Sequence, residues 1–163
     1  GPVAIGLKAR GAHGRTVPQE TLAAARTHQA WNMGPVSHPI YPRDDSRYVN
    51  PSGYFRKHFG LYANIRPIVS LPGVDALQSD VDLVIVRENT EGFYADRNLL
   101  GGNGEFRPDE DTVLSLRVIT RRACMRLAYR AFELARQRNG QRKVTAVHKA
   151  NVLRRGDKIF REG

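Results

Sequence analysis

Short apolar runs alternate with longer amphipathic segments along the 163-residue chain. The runs at 61–68, 81–86 and 144–147 have the length and the β-branched content of strands, and a further apolar run covers 3–7. Strands that alternate with helical patterns predict an α/β fold. We expect the strands at 81–86 and 144–147 to be buried.

Three amphipathic segments predict helices. The first follows Thr16, which has Gln19 three residues later, as in a capping box. The second begins at Ser52, and the third and strongest is capped by Thr120 and ended by Gly140. The apolar positions on the face of the third helix are Ala123, Leu127, Ala131 and Leu134. These helices lie between the apolar runs, as the α/β pattern requires.

Two stretches are less regular. The apolar stretch at 31–42 is broken by Gly34-Pro35, which predicts a strand end that runs into a loop. The stretch 95–118 contains closely spaced glycines, and its last part, 112–119, alternates apolar and polar positions. Such alternation predicts a half-buried strand or one arm of an exposed hairpin.

Composition is that of an ordinary globular protein, with 40% hydrophobic and 26% charged residues. No apolar run approaches the roughly 18 residues of a membrane span, so we expect no membrane partner. The start of the chain carries no signal-peptide pattern. A single cysteine, Cys124, cannot form an internal disulfide, which favours a reducing, cytoplasmic location. Cys124 lies in a helical pattern without a neighbouring histidine, which predicts an inert packing thiol.

The net charge of +10 comes mostly from arginine, with 21 Arg against 5 Lys. Such a balance suits nucleic-acid binding, but the basic residues form no tract with interleaved aromatics. Arginine also makes planar, bidentate pairs with carboxylates, which lysine cannot copy. A coding bias towards arginine is a third explanation. We therefore expect an anionic small-molecule ligand and no nucleic-acid partner.

Polar side chains follow two of the predicted strands where each strand ends. Residues 87–89 (Arg-Glu-Asn) come directly after 81–86, and residues 148–151 (His-Lys-Ala-Asn) directly after 144–147. Loops at the carboxyl ends of strands are where α/β proteins hold ligands. The plain alternative is that a strand has to end in a polar loop. Two strands that each release charged and amide groups favour a ligand site.

Three motifs carry a resemblance to a known family. They are LYANIRP (61–67), DLVIVRENTEGFY (82–94) and KVTAVHKANVL (143–153), preceded by GPVSHP (34–39). In this order and spacing they resemble the isocitrate/isopropylmalate dehydrogenase family of decarboxylating β-hydroxyacid dehydrogenases. The resemblance covers essentially the whole chain. It implies a fragment of that family's two-domain α/β fold.

The resemblance also implies how the chain divides. Residues 1–63 belong to the large domain, and residues 64–93 are the first part of the small domain. Residues 94–118 form an arm that interlocks two subunits, and residues 119–163 supply a helix and a strand of the small domain. Family members are much longer, and their metal-binding aspartates and nucleotide-binding loop lie beyond this chain. We therefore expect an internal fragment that does not bind nucleotide or metal normally.

The family implies a reaction. Its members oxidise the hydroxyl of a 2-hydroxy acid by hydride transfer to NAD or NADP, with Mg²⁺ or Mn²⁺ on the hydroxyl and a carboxylate. Loss of the neighbouring carboxylate as carbon dioxide leaves an enol, which Tyr94 helps to protonate. Lys149 takes part in removing the hydroxyl proton. A free lysine, with a pKa of about 10.4, is a poor base at neutral pH, so nearby cations have to lower its pKa.

Binding residues follow from the same resemblance. The substrate-binding residues are Asn50, Ser52, Arg56, Arg66 and Arg87, and the cofactor-binding residue is Asn151. The arginines supply forks for the substrate carboxylates. Lys149 and Asn151 reach across a homodimer interface into the pocket of the partner subunit. His148 stays outside this site, and no metal ligand is expected in the chain.

The residues just before Arg56 bear on the substrate. The family uses apolar side chains there for an isopropyl group, and a hydroxyl and an amide for a carboxylate. Asn50 and Ser52 therefore favour an isocitrate-like acid. The usual isocitrate pattern places serine before asparagine, and the reversed order here leaves homoisocitrate-, malate- or tartrate-, and isopropylmalate-type substrates open. A non-catalytic regulatory subunit is a further alternative, although Tyr94 and Lys149 are retained.

Overall fold

The structure, a computed structural model, describes residues 1–36, 41, 45–94, 96, 98–138 and 140–162. The chain forms two compact units, unit 1 (residues 1–60) and unit 2 (residues 61–163). The regular elements described in unit 1 are helices, whereas unit 2 combines strands and helices. Together these elements give the mixed α/β class that the sequence predicts.

Unit 1 is built around a small apolar core. Its helices are α1 (Gly6–His13), α2 (Gln19–Arg26) and α3 (Pro51–His58). The core consists of Val17, Leu22 and Phe55, one residue from the segment before α2 and one from each of α2 and α3. Trp31 extends this core, because its ring centroid lies 5.0 Å from that of Phe55. Apolar burial at these positions stabilises the packing of α2 and α3.

The apolar run at 3–7 leads directly into α1. Gly6, the first residue of the helix, has a φ of 70°, which favours glycine. A Cβ atom at this position would lie 2.9 Å from the hydroxyl oxygen of Tyr41, closer than real Cβ contacts. The backbone conformation therefore favours a glycine at the start of α1, and a larger residue would also have to displace the Tyr41 hydroxyl.

Thr16 is not the cap of α2, so that prediction is wrong. The helix begins at Gln19, and Pro18 occupies the cap position. Thr16 is fully buried, and its hydroxyl donates to the carbonyl oxygen of Val49 at 2.6 Å. The hydroxyl ties the segment before α2 to the segment before α3, and this tertiary bond replaces the expected capping bond.

Unit 2 begins with an antiparallel pair of strands. The strands are β1 (Ala63–Val69), β2 (Asp82–Glu88), β3 (Glu105–Phe106) and β4 (Leu114–Ser115), and the helices are α4 (Arg121–Arg138) and α5 (Gly156–Glu162). β1 pairs with β2, and β3 pairs with β4. The strands predicted at 61–68 and 81–86 are therefore present, and 112–119 contributes one arm of a short hairpin, as the second interpretation of its alternation predicted.

Only one face of the β1–β2 pair is covered among the described residues. Glu88 and Asp82, which point to the same side of β2, form ion pairs with α4 through Arg126 and Arg138. Side chains alternate across a strand, so Leu83, Ile85 and Arg87 point to the opposite side, and all three are exposed. Leu83, on that side, is 44% exposed. The expectation that 81–86 is a buried strand is therefore wrong, because α4 packs on one side only.

The strand predicted at 144–147 is also absent. No regular element is assigned to these residues, and Val147 is 88% exposed. Arg142, just before the run, adopts a φ of 51°, which turns the chain away from an extended path. Among the described residues no strand pairs with the run. β-branched content does not produce a strand without a partner to complete the hydrogen-bond ladder.

α4 matches the prediction for the strongest helix. The backbone N–H of Ala123 donates to the hydroxyl of Thr120 at 3.2 Å, which confirms Thr120 as the cap. Cys124 is buried on this helix, and burial raises the pKa of its thiol, as expected of a packing residue.

No helix among the described residues is long and apolar enough to span a membrane. In the predicted strand end at 31–42, residues 31–36 form no strand, and 37–40 and 42 lie outside the described residues.

Candidate functional site

The open face of the β1–β2 pair carries two of the predicted arginines. Asn64 lies opposite Arg87 in the register, and Arg66 lies opposite Ile85. Residues opposite each other share a face, so Arg66 and Arg87 are diagonal neighbours on one side of the sheet. Arg66 Nε also donates to Asn64 Oδ1 at 2.9 Å. The strand register thus brings two cations to the uncovered side.

Tyr94 joins this face from the loop after β2. Arg87 Nη2 donates to the phenol oxygen of Tyr94 at 2.6 Å. The Arg87 guanidinium carbon also lies 5.5 Å from the centroid of the Tyr94 ring, within the range of a cation–π contact. Three predicted site residues, Arg66, Arg87 and Tyr94, are therefore close together. We call these three residues the Arg–Tyr face.

Glu88 points to the other side of β2 and holds the loop that follows. Its carboxylate accepts hydrogen bonds from the Thr90 backbone N–H and hydroxyl and from the Glu91 backbone N–H, all at 2.6 Å. Arg126 Nη2 adds a fourth bond at 3.1 Å. Burial raises the pKa of Glu88, but these bonds outweigh it, and the pKa lies below its ordinary value. Glu88 is therefore an ionised anchor for the loop.

Asn89 and Glu91 complete the anchoring of this loop. Asn89 is buried, its side-chain amide donates to the Leu61 carbonyl oxygen at 3.1 Å, and its backbone N–H donates to the Tyr62 carbonyl oxygen at 2.8 Å. Glu91 accepts the backbone N–H and the hydroxyl of Thr120 at 2.8 and 2.6 Å, at the start of α4. The polar run after β2 thus divides into a structural part and the Arg–Tyr face.

The second predicted cluster contains Lys149 and Asn151, whose side chains are exposed on one turn. The Lys149 backbone N–H donates to Asp157 Oδ2 at 2.6 Å. Arg117 Nη1 donates to the other carboxylate oxygen of Asp157 at 2.6 Å. Hydrogen bonding from Lys149 and the Arg117 side chain lowers the pKa of Asp157 although burial opposes it.

Sequence reasoning missed the anchoring residues Glu88, Arg126, Arg117 and Asp157. Glu88 and Arg126 lie far apart along the chain, and no motif spacing connects them. Asp157 carried a weak signal, because an acidic residue in the first turn of a helix is favoured by the helix dipole. That signal points to helix stability and does not reveal the contact with Lys149.

The other three predicted residues, Asn50, Ser52 and Arg56, belong to unit 1. Asn50 caps α3, since its Oδ1 accepts the backbone N–H of Gly53 at 3.1 Å. Ser52 and Arg56 are one turn apart on α3, and both are half-buried. Asn50 thus has a structural bond that its proposed contact with substrate has to accommodate.

Metal ligands were not expected in this chain. Within the described ranges no group of three or more His, Cys, Asp or Glu side chains is arranged to hold a metal ion. The best-bonded carboxylates of unit 2, Glu88 and Asp157, are already committed to backbone N–H groups and arginines. These residues do not fit a metal site.

A family model described as isocitrate/isopropylmalate dehydrogenase matches residues 2–163. The 3-isopropylmalate dehydrogenase of Methanothermobacter thermautotrophicus is 41% identical over 149 residues, which cover 91% of this chain and 40% of that protein. A mitochondrial regulatory subunit of the NAD isocitrate dehydrogenase of Dictyostelium discoideum is 36% identical over 144 residues, 88% of this chain and 37% of that protein. The two names differ in substrate and in role.

A solved structure of an isocitrate dehydrogenase has a similar fold over almost the whole chain. The crystal structure of isocitrate dehydrogenase from Methylococcus capsulatus superposes with a TM-score of 0.78 at 34% identity, and the match covers 98% of this chain and 45% of that one. The chain spans less than half the length of each of these three proteins. The motifs, the family match and the shared fold agree. The chain belongs to the isocitrate/isopropylmalate dehydrogenase family.

Proposed function

We propose that the whole protein is a decarboxylating dehydrogenase that oxidises a 2-hydroxy di- or tricarboxylic acid with NAD or NADP. The observation that carries the proposal is the Arg–Tyr face, where Arg87 bonds Tyr94 at 2.6 Å and Arg66 lies on the same side of the sheet. Two guanidinium groups beside a phenol suit a substrate with several carboxylates and a proton to receive.

Arg66, Arg87 and Arg56 bind the substrate carboxylates in this proposal. A guanidinium has five N–H donors in a planar fork, so the bond from Arg87 to Tyr94 is compatible with a two-point contact to a carboxylate. Arg66 and Arg87 lie on paired strands, which restrict the movement of their Cα atoms. Such positioning removes part of the entropy cost of binding and orients the reacting carbons.

Tyr94 and Lys149 transfer the protons in this proposal. The hydrogen bond from Arg87 holds the Tyr94 phenol next to the carboxylate-binding cation, where it protonates the enol that remains after decarboxylation. Lys149 accepts the proton of the substrate hydroxyl. Asn151 would contact the nicotinamide, which would supply the hydride acceptor when bound. In this proposal the roles of the chain are substrate binding, proton transfer and, through Asn151, contact with the nicotinamide.

An isocitrate-like substrate is favoured over isopropylmalate. The first turn of α3 and its cap contribute Asn50 and Ser52, and residues 50–53 include no leucine or isoleucine. A buried aliphatic side chain there would stabilise an isopropyl group by about 1.5–3 kcal/mol. The capping bond uses Asn50 Oδ1 and leaves the amide NH₂ group as the donor for a carboxylate. Homoisocitrate and malate- or tartrate-like acids are the alternatives.

A non-catalytic regulatory subunit is the second candidate function. One observation favours it: the Dictyostelium discoideum relative is named a regulatory subunit. A regulatory subunit does not need Tyr94 or Lys149 for chemistry, and this chain has both. Catalysis is therefore the first proposal.

We also propose a cytoplasmic homodimer with shared active sites. Residues 94–118 form the arm between the subunits, and the β3–β4 hairpin with its isolated bridge from Gly92 to Val118 is suited to that role. Lys149 and Asn151 then serve the pocket of the partner subunit, while the Arg–Tyr face serves its own.

The test is to express the whole protein and follow reduction of NAD and NADP with Mg²⁺ or Mn²⁺ present. Isocitrate, homoisocitrate, isopropylmalate, malate and tartrate are offered in turn. We expect turnover with a tri- or dicarboxylate and the highest kcat/KM with an isocitrate-like acid. If none of the five is oxidised, while addition of the protein changes the activity of a catalytic partner subunit, the regulatory function replaces the catalytic one.

A further inference from the structure

Asp157 is a buried carboxylate that the proposed reaction does not use. It is 3% exposed and lies in the first turn of α5. Burying a carboxylate is costly unless hydrogen bonds and charge compensate. The groups that bond to the carboxylate therefore indicate its role.

Both oxygens of Asp157 accept hydrogen bonds, one from the nearby Lys149 and one from Arg117, which is distant in the sequence. Oδ2 accepts the Lys149 backbone N–H at 2.6 Å, and Oδ1 accepts Arg117 Nη1 at 2.6 Å. The Asp157 backbone N–H in turn donates to the Leu153 carbonyl oxygen at 3.1 Å. These bonds close a loop from Lys149 to Asp157 and connect it to the segment before α4.

The closed loop fixes the backbone of Lys149 on both sides. Its N–H is held by Asp157, and its carbonyl oxygen accepts the backbone N–H groups of Val152 at 3.0 Å and Leu153 at 2.8 Å. No strand or helix includes Lys149. The bonds of the loop therefore restrict the position of the Lys149 Cα atom, as the bonds of a sheet would. The side chain can then move only by rotation about its own torsion angles.

We propose that Asp157 is a positioning residue, whose carboxylate holds the Lys149 backbone so that the lysine side chain reaches its place in the reaction. The inference rests on the proposed function, in which Lys149 removes the hydroxyl proton. Asp157 does not contact the reacting atoms. It acts through the Lys149 backbone N–H, with Arg117 compensating its charge.

A purely structural role makes different predictions. An acidic residue in the first turn stabilises a helix through the dipole. In that case, removal of Asp157 lowers thermal stability, while the turnover number of the folded enzyme and the local protection of Lys149 stay unchanged.

The first experiment measures amide hydrogen exchange of the whole protein by NMR or mass spectrometry. In the Asp157→Ala variant, we expect the Lys149 amide to exchange about ten- to hundred-fold faster, the equivalent of one lost charged hydrogen bond. Asp157→Asn keeps an acceptor oxygen without the charge, so we expect an intermediate increase of about fivefold. It also carries the test if Asp157→Ala does not fold.

Asp45 offers a matched control. Its carboxylate also accepts a backbone N–H, that of Arg47 at 2.9 Å, and an arginine side chain, at 2.7 Å, but in unit 1. Asp45→Ala should leave Lys149 exchange and kcat unchanged. Unchanged Lys149 exchange in both Asp157 variants would overturn the inference.

The second experiment measures kcat and KM at equal concentrations of folded enzyme. We expect Asp157→Ala to lower kcat at least tenfold with KM near the wild-type value, and Asp157→Asn to recover part of kcat. A lower melting temperature with unchanged kcat would overturn the positioning role. If the wild-type protein oxidises no 2-hydroxy acid, the proposed function fails, and the exchange experiment still decides whether Asp157 holds Lys149.

Discussion

The two polar clusters of unit 2 are held in place by different means. Arg87 lies on a paired strand, bonds Tyr94, and is followed by a loop that Glu88 anchors with four hydrogen bonds. Lys149 lies on a loop without strand pairing, and one buried carboxylate, that of Asp157, holds its N–H. A side chain on a strand takes its position from many backbone bonds, whereas one on a loop depends on a few. The loop from Lys149 to Asp157 should therefore be more sensitive to single substitutions than the strand that carries Arg87.

The proposed function divides the reaction between the two clusters. In this proposal, the Arg–Tyr face binds the substrate and protonates the enol, and Lys149 of the partner subunit removes the hydroxyl proton. The following predictions test that division, beginning with the largest expected effect.

Lys149→Ala should lower kcat by about 10²–10⁴-fold, because a positioned general base contributes about that much. KM should stay near the wild-type value, since the carboxylate contacts lie elsewhere. Lys143→Ala is the control, because Lys143 is an exposed lysine shortly before the loop. Steady-state kinetics of both variants provide the measurement. A fall in kcat of less than tenfold for Lys149→Ala would remove the lysine from the chemistry.

Arg87→Ala should lower kcat/KM by about ten- to hundred-fold, corresponding to about 1.5–3 kcal/mol for a lost charge-assisted contact. Arg87→Lys should not restore it fully, because an ammonium group cannot form the planar fork. Arg138→Ala is the matched control, since Arg138 pairs with Asp82 on the covered side of β2. Equal kinetics in the Arg87 and Arg138 variants would argue against substrate binding on the open face.

Glu88→Ala should lower the free energy of unfolding by about 1–3 kcal/mol, because the loop after β2 loses an acceptor that is only 20% exposed. Glu133→Ala removes a carboxylate that pairs with Arg130 one turn away on the same helix, and should change stability by less than about 0.5 kcal/mol. Urea denaturation of both variants compares them. An equally small change for Glu88→Ala would show that other contacts hold this loop.

Acid should weaken both clusters through their anchoring carboxylates. The pKa values of Glu88 and Asp157 lie below their ordinary values of 4.5 and 3.8. Their stabilising contribution is therefore fully present above those ordinary values and is lost as the pH falls through the lower, folded-state values. The free energy of unfolding, measured from neutral pH to acid pH, should therefore fall less steeply with decreasing pH for Glu88→Gln and Asp157→Asn than for wild type. Wild-type steepness in both variants would contradict these assignments.

Elements with strong local signals were predictable from the sequence. α4 has a cap at Thr120 and a regular apolar face, and the β1–β2 strands have flanking breaks and β-branched content. The absence of a strand at 144–147 was not predictable. A strand needs a partner strand, and the apolar pattern does not show whether one is available. The prediction that β2 is buried was wrong for a related reason. The apolar pattern shows which side chains share a face of the strand, but not whether another element covers that face.

The site was predictable only where motifs carried it. Arg66, Arg87 and Tyr94 were named from two motifs, and the register of β1 and β2 accounts for their proximity. Glu88–Arg126 and Asp157–Arg117 were not found, because each joins segments that are distant in sequence and only tertiary packing brings them together.

Complementation between subunits tests the division between the two clusters most directly. Arg87→Ala and Lys149→Ala homodimers, each with the reduced activity predicted above, are mixed, and heterodimer formation is confirmed by mass. If the Arg–Tyr face serves its own pocket and Lys149 serves that of the partner, one pocket of the heterodimer carries both defects and the other carries none. We predict that activity rises above that of either homodimer, in proportion to the amount of heterodimer. No recovery in confirmed heterodimers would place both residues of one chain in the same pocket and contradict the division between the two clusters.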